Sequence, residues 1–134
     1  MLLYAVVKYF TYAAWCYFGL QLLASRANLA EALKYGLIRW LLGLFFGLAV
    51  GLALGSVDPD NAARLYFLVY TPLRVVEWGI IAALVLRTAG ASYGKLFQWR
   101  ALLWIVGGIA MSFLSDLLSP EGLAGKFCAG RCLC

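Results

Sequence analysis

Long apolar runs alternate with short polar punctuation along this chain. Apolar residues dominate from about Leu2 to Ala24, Gly36 to Gly55, Arg64 to Leu86 and Ala101 to Leu118. Each run holds roughly 20 residues, the length a helix needs to cross a bilayer. The stretch from Ser25 to Tyr35 is polar enough for a short interfacial loop or a half-turn of helix. Ser56-Val57-Asp58-Pro59-Asp60-Asn61 is an acidic run of turn-forming residues. Arg87 to Arg100 is a basic connection containing glycine and serine, and Pro120 closes the last run. The pattern predicts an all-α protein: an integral membrane four-helix bundle with short loops and both termini on the same side. Residues 1–119 would form the transmembrane domain, and 120–134 a polar tail. No internal repeat interrupts this plan.

Composition points the same way. Of 134 residues, 65% are hydrophobic and 13% charged, whereas a soluble domain has about 45–50% apolar and about 25% charged residues. A short chain has too much surface for its volume to hide that much apolar area from water. The first run resembles the hydrophobic part of a secretion signal. It is too long for one, its early cation Lys8 lies inside it, and no small-x-small cleavage site follows. It reads as the first span.

The net charge of +5 does not suggest nucleic acid, because no basic patch interleaved with aromatics lies outside the spans. The cations instead flank the apolar runs. The first and third connections carry Arg26, Lys34, Arg39, Arg87, Lys95 and Arg100. The opposite side has Arg64, Lys126 and Arg131, with Lys8 deeper. By the positive-inside rule the first group is cytoplasmic. The termini then face away from the cytoplasm, in what reads as a bacterial inner membrane.

Charged and polar residues inside the spans carry the candidate chemistry. Tyr66, Tyr70, Arg74 and Glu77 are spaced by four, four and three, which places them on one helix face. Counted from Arg64, Arg74 and Glu77 lie about 15 and 20 Å deep. A charge at that depth is costly in lipid, so it faces protein or a hydrated path. Pro72 lacks an N–H and leaves the Leu68 carbonyl without its helical partner. These features fit a ligand or ion pathway; they also fit an Arg74–Glu77 pair that merely fixes the third span to its neighbours. Lys8 and Asp116 fall at similar depth in the first and fourth spans and are a possible ion pair, although Lys8 is near enough to an interface to snorkel.

Gly43, Gly47, Gly51 and Gly55 recur every four residues along the second span. Such a stripe lets another helix approach closely, whether within the chain, from a second copy or from another protein. The aromatics of the first span, Trp15, Tyr17 and Phe18 among them, suit ordinary packing or an apolar ligand cavity. Cys128, Cys132 and Cys134 in the tail would be thiols able to form a disulfide or hold a soft metal, whereas Cys16 reads as a small apolar filler.

The chain has no histidine, hence no usual haem ligand or proton shuttle. It also lacks a phosphate-binding glycine loop, a Cys-x-x-Cys pair and a catalytic triad pattern. No cofactor follows from the sequence, and an enzyme is disfavoured. Two functions remain. One is a structural or accessory subunit of a membrane complex, acting through helix–helix packing in a homo- or hetero-oligomer within the lipid bilayer. The other is a small homo-oligomeric channel or transporter using Arg74 and Glu77.

Overall fold

The computed structural model describes residues 2–25, 28–54, 59–91 and 93–118. These form four long α-helices and one short turn of 3-10 helix. In chain order they are α1 (Leu2–Ala24), α2 (Leu29–Leu54), α3 (Pro59–Thr88), the 3-10 turn (Tyr93–Phe97) and α4 (Trp99–Leu117). The fold is all-α, as the apolar runs predict. Three stretches are long and apolar enough to cross a membrane: Leu29–Ala53, Arg64–Thr88 and Trp99–Leu117. The sequence pattern suggested four. At 23 residues α1 has the length, but four tyrosines, Lys8 and Gln21 dilute its apolar character.

Local chemistry sets the helix ends. α2 starts at Leu29, well before the apolar run at Gly36. Asn28 is the reason: its side-chain oxygen accepts from the N–H groups of Ala30 and Glu31 at 3.0 and 3.4 Å, an N-cap that satisfies two of the helix's orphan donors. Much of the segment read as a short interfacial loop or a half-turn of helix is therefore part of α2. α3 ends at a glycine cap. Gly90 takes a positive φ of 65°, and the N–H groups of Gly90 and Ala91 donate back to the carbonyls of Arg87 and Leu86, both at 3.0 Å. This is the paired bonding of a Schellman motif. Pro72 lies within α3 without ending it.

α1 touches each of the other three long helices, and α3 also packs on both α2 and α4. The core between them holds Tyr12, Cys16, Leu20, Ala32, Tyr35, Trp78, Ile81, Ala82, Val85, Trp104 and Ile105. Glycines set the closest approaches. A methyl group on Gly36 of α2 would lie 2.7–2.9 Å from atoms of Ala13 in α1, backbone included. One on Gly108 of α4 would meet the Trp78 ring at 2.6–2.9 Å. The inward face of α4 repeats at helical spacing: Ala101, Trp104, Ile105, Gly108, Ser112 and Asp116. Its last two positions are polar, and they reach the charged residues of the other helices.

A buried charged cluster as the candidate functional site

Five charged side chains meet inside the protein: Lys8 of α1, Arg39 of α2, Arg74 and Glu77 of α3, and Asp116 of α4. Arg39, Arg74, Glu77 and Asp116 are between 1 and 5% exposed. The Lys8 side chain keeps 20% of its surface, so the cluster touches the outside at that end.

Asp116 organises one half. It forms ion pairs with Arg74 and, at 2.5 Å, with Lys8. The Tyr66 hydroxyl donates to Asp116 Oδ2 at 2.6 Å and accepts from Arg74 Nη2 at 3.1 Å. The Tyr4 hydroxyl donates to Asp116 Oδ1 at 3.0 Å and accepts from Lys8 Nζ at 3.2 Å. One carboxylate thus joins α1, α3 and α4, and satisfying its lone pairs is what makes a charge tolerable at such burial.

Arg39 organises the other half. Its Nη2 lies 2.7 Å from Glu77 Oε2 and donates to Ser112 Oγ at 3.2 Å. Trp78 Nε1 donates to the same Ser112 oxygen at 3.0 Å. The guanidinium carbon sits 4.8 Å from the Tyr12 ring centre and 5.1 Å from that of Trp78, within cation–π range. The halves are stacked along two helices: Ser112 and Asp116 are one turn apart on α4, and Arg74 and Glu77 one turn apart on α3, about 6 Å along the axis.

Spacing on α3 put Tyr66, Tyr70, Arg74 and Glu77 on one face, and all four are buried. Tyr70 stacks on Tyr66 with ring centres 4.8 Å apart. Arg74 and Glu77 do not form the pair that their spacing suggested. Each reaches a different helix, Arg74 towards α4 and Glu77 towards α2, because helices on either side supply the opposite charge. Leu68 and Pro72 lie on the exposed side of α3, so the carbonyl freed by proline is not part of this cluster. Lys8 and Asp116 are paired, with Ser115 turned back to the Ser112 carbonyl at 2.8 Å.

Arg39 is the residue that sequence reasoning misplaced. Its place near the start of the apolar run groups it with the cations of the first connection, yet it is 1% exposed. Once α2 starts at Leu29, Arg39 lies ten residues, about 15 Å, from the helix start. The available signal was its position four residues before Gly43, in register with the glycine stripe. Gly43 is half-buried and Gly47 buried, so this part of the stripe faces inward. A methyl group on Gly43 would lie 3.2 Å from Arg39 Nη1 and 4.0 Å from Glu77 Oε1, and near nothing else within 4 Å among the described residues. Gly51 is half-buried, and Gly55 lies outside the described residues.

A second feature is an apolar groove of about 600 Å³ between α1 and α4, lined by Trp15, Phe18, Gln21, Leu22, Leu103 and Trp104. Tyr17 is half-buried against the core instead. Among the described residues no group of three or more Cys, Asp or Glu side chains is placed to hold a metal. Cys128, Cys132 and Cys134 lie outside the described residues, and Cys16 is a buried free thiol.

Comparison with protein-family models, with curated proteins and with solved structures finds no match for this chain.

Proposed function

We propose that the protein is a four-span integral membrane protein, with α1 as the fourth span, and that its interior charged cluster is the ion site of a small homo-oligomeric channel or transporter. One observation carries this reading: five charged side chains from all four helices, in two ion-paired groups stacked a turn apart and buried except at Lys8, lie in the interior of otherwise apolar segments. Charges inside membrane spans are costly and typically mark ion or substrate pathways. In this reading Lys8 and Asp116 form the entrance and Arg39 and Glu77 the deeper site. Arg74 holds the Asp116 carboxylate from the α3 side. With Arg39 assigned to the interior, the first and third connections still carry five cations, Arg26, Lys34, Arg87, Lys95 and Arg100, and remain the cytoplasmic side.

The test is ion flux in proteoliposomes, followed by a potential-sensitive dye, with Glu77→Gln as the comparison. Flux in the parent that changes in a folded Glu77→Gln protein supports the reading. Flux equal to that of empty liposomes removes it.

The α1–α4 groove favours a second reading, that of an accessory subunit docking an apolar helix or lipid chain there. Extraction in mild detergent separates the two. Copurification with different membrane proteins in fixed ratio supports the subunit, and a homogeneous assembly of this chain supports the channel or transporter.

A further inference from the structure

The charges of the described cluster do not balance. Lys8, Arg39 and Arg74 are three cations, while Glu77 and Asp116 are two anions, all held within ion-pair distance of a partner. One positive charge is left over on the Lys8–Asp116–Arg74 side, which reaches the outside at Lys8, while Arg39 is matched by Glu77. Both halves also hold unused donors. Arg39 Nε and Nη1 and Arg74 Nε are buried and make no hydrogen bond among the described residues. Guanidinium nitrogens can only donate, so each calls for an acceptor. Ser112 adds another. Its oxygen accepts from both Arg39 Nη2 and Trp78 Nε1, which fills its two lone pairs and leaves its own hydrogen to donate. Buried donors without acceptors are rare, and each calls for a partner or a role.

We infer that the ion is a small monovalent anion of halide size, bound at the Arg39 guanidinium beside Gly43 and Ser112. The inference rests on the ion-site reading above and names its substrate class. A metal cation is disfavoured because the free guanidinium groups can only donate. Bulky oxyanions are disfavoured by crowding: Arg39 is packed against the Tyr12 and Trp78 rings and is held by Glu77 and Ser112. The bare Cα of Gly43 leaves a position 3.2 Å from Arg39 Nη1 unfilled by any side chain of its own. Glu77 Oε1 borders this space at 4.0 Å from the same point. The anion therefore takes the Arg39 nitrogens that Glu77 leaves free and competes with it for the guanidinium charge, which keeps binding weak enough for release.

The experiment uses the full chain in nanodiscs, comparing thermal unfolding in sodium chloride, bromide, gluconate and sulfate at fixed ionic strength. A ligand of the folded state raises the unfolding temperature with its concentration. Chloride and bromide are expected to do so saturably; gluconate and sulfate are not. Replacing sodium by potassium should change nothing. Gly43→Ala, which adds one methyl group to a helical site, and Ser112→Ala should each weaken the halide midpoint, the latter by roughly 10- to 100-fold for a hydrogen bond to a charged group. Far-UV circular dichroism checks that both variants fold. Equal unfolding temperatures in all four salts overturn the proposal, as does a response that follows the cation or survives unchanged in both folded variants. The flux assay is separate: flux indifferent to halide removes the anion but keeps the ion site, whereas saturable halide binding without flux keeps the anion and removes transport.

Discussion

Trp15 and Trp104 exchange hydrogen bonds. The indole of Trp15 donates to the Trp104 carbonyl at 3.1 Å, and the indole of Trp104 donates to the Trp15 carbonyl at 3.0 Å. Each ring also lies on a glycine of the opposite helix. A methyl group on Gly19 would meet the Trp104 ring at 2.5–2.8 Å, and one on Gly107 would collide with the Trp15 ring. The sequence thus builds a reciprocal clasp between α1 and α4, each helix offering one indole and one bare backbone patch a turn away.

The clasp makes two unequal predictions. Trp104→Phe keeps most of the ring but loses one hydrogen bond, and should destabilise by about 0.6–1.5 kcal/mol. Gly107→Leu forces the Trp15 indole off the helix and should cost more, about 1–3 kcal/mol for an overpacked site. Reversible unfolding in mixed micelles reads both. A Gly107→Leu protein as stable as the parent would mean that the two helices do not meet in this way.

Asp116 should be the least replaceable polar residue. Asn at this position keeps the shape but leaves Arg74 and Lys8 without a counter-charge. Breaking a buried pair by removing one partner costs about 3–5 kcal/mol. Asp116→Asn should therefore lower stability by about that amount, and Arg74→Met added to it should recover part of the loss, because the stranded cation is removed as well. No recovery in the double variant would show that the two side chains act independently.

At the α1–α2 contact the prediction is steric. Gly36→Ala would press a methyl group onto Ala13 at 2.7–2.9 Å, with backbone atoms among those met. A flexible side chain could move aside, but backbone cannot. The expected loss is about 1–3 kcal/mol, even though alanine is the better helix former. In contrast, Gly79→Ala meets nothing within 4 Å among the described residues and should be neutral or stabilising by up to about 1 kcal/mol. Similar unfolding of the two variants would count against the close packing of α1 on α2.

The contrast between Arg74 and Arg39 shows how far one sequence can be read. Spacing alone placed Tyr66, Tyr70, Arg74 and Glu77 on a common face, because helical periodicity is local. It did not reveal that Arg74 turns to Asp116 and Glu77 to Arg39, because pairing depends on which side chains neighbouring helices present at the same level. Lys8 and Asp116 were matched by depth, a cue that works when both lie near span ends. Arg39 is hidden in the sequence because the apolar run begins at Gly36, and a cation three residues inside a run resembles a flanking charge. The helix begins earlier, at Asn28's cap, where polar composition conceals it. Of the glycine stripe, the spacing announced close approach, but only the fold directs Gly43 towards Arg39 and Glu77.

The Arg39–Glu77 pair permits the most discriminating test. Both side chains are buried, and their ion pair joins α2 to α3 at 2.7 Å. If the pair only fixes the helices, Arg39→Met and Glu77→Met should each destabilise by about 3–5 kcal/mol. The double variant should then recover much of the loss, since apolar replacements of a buried pair are often neutral or better. If the pair is also the ion site, the double variant should fold and yet lose flux completely. Stability and flux measured on the same four proteins separate the roles. A folded double variant with parental flux would leave the pair as structure alone.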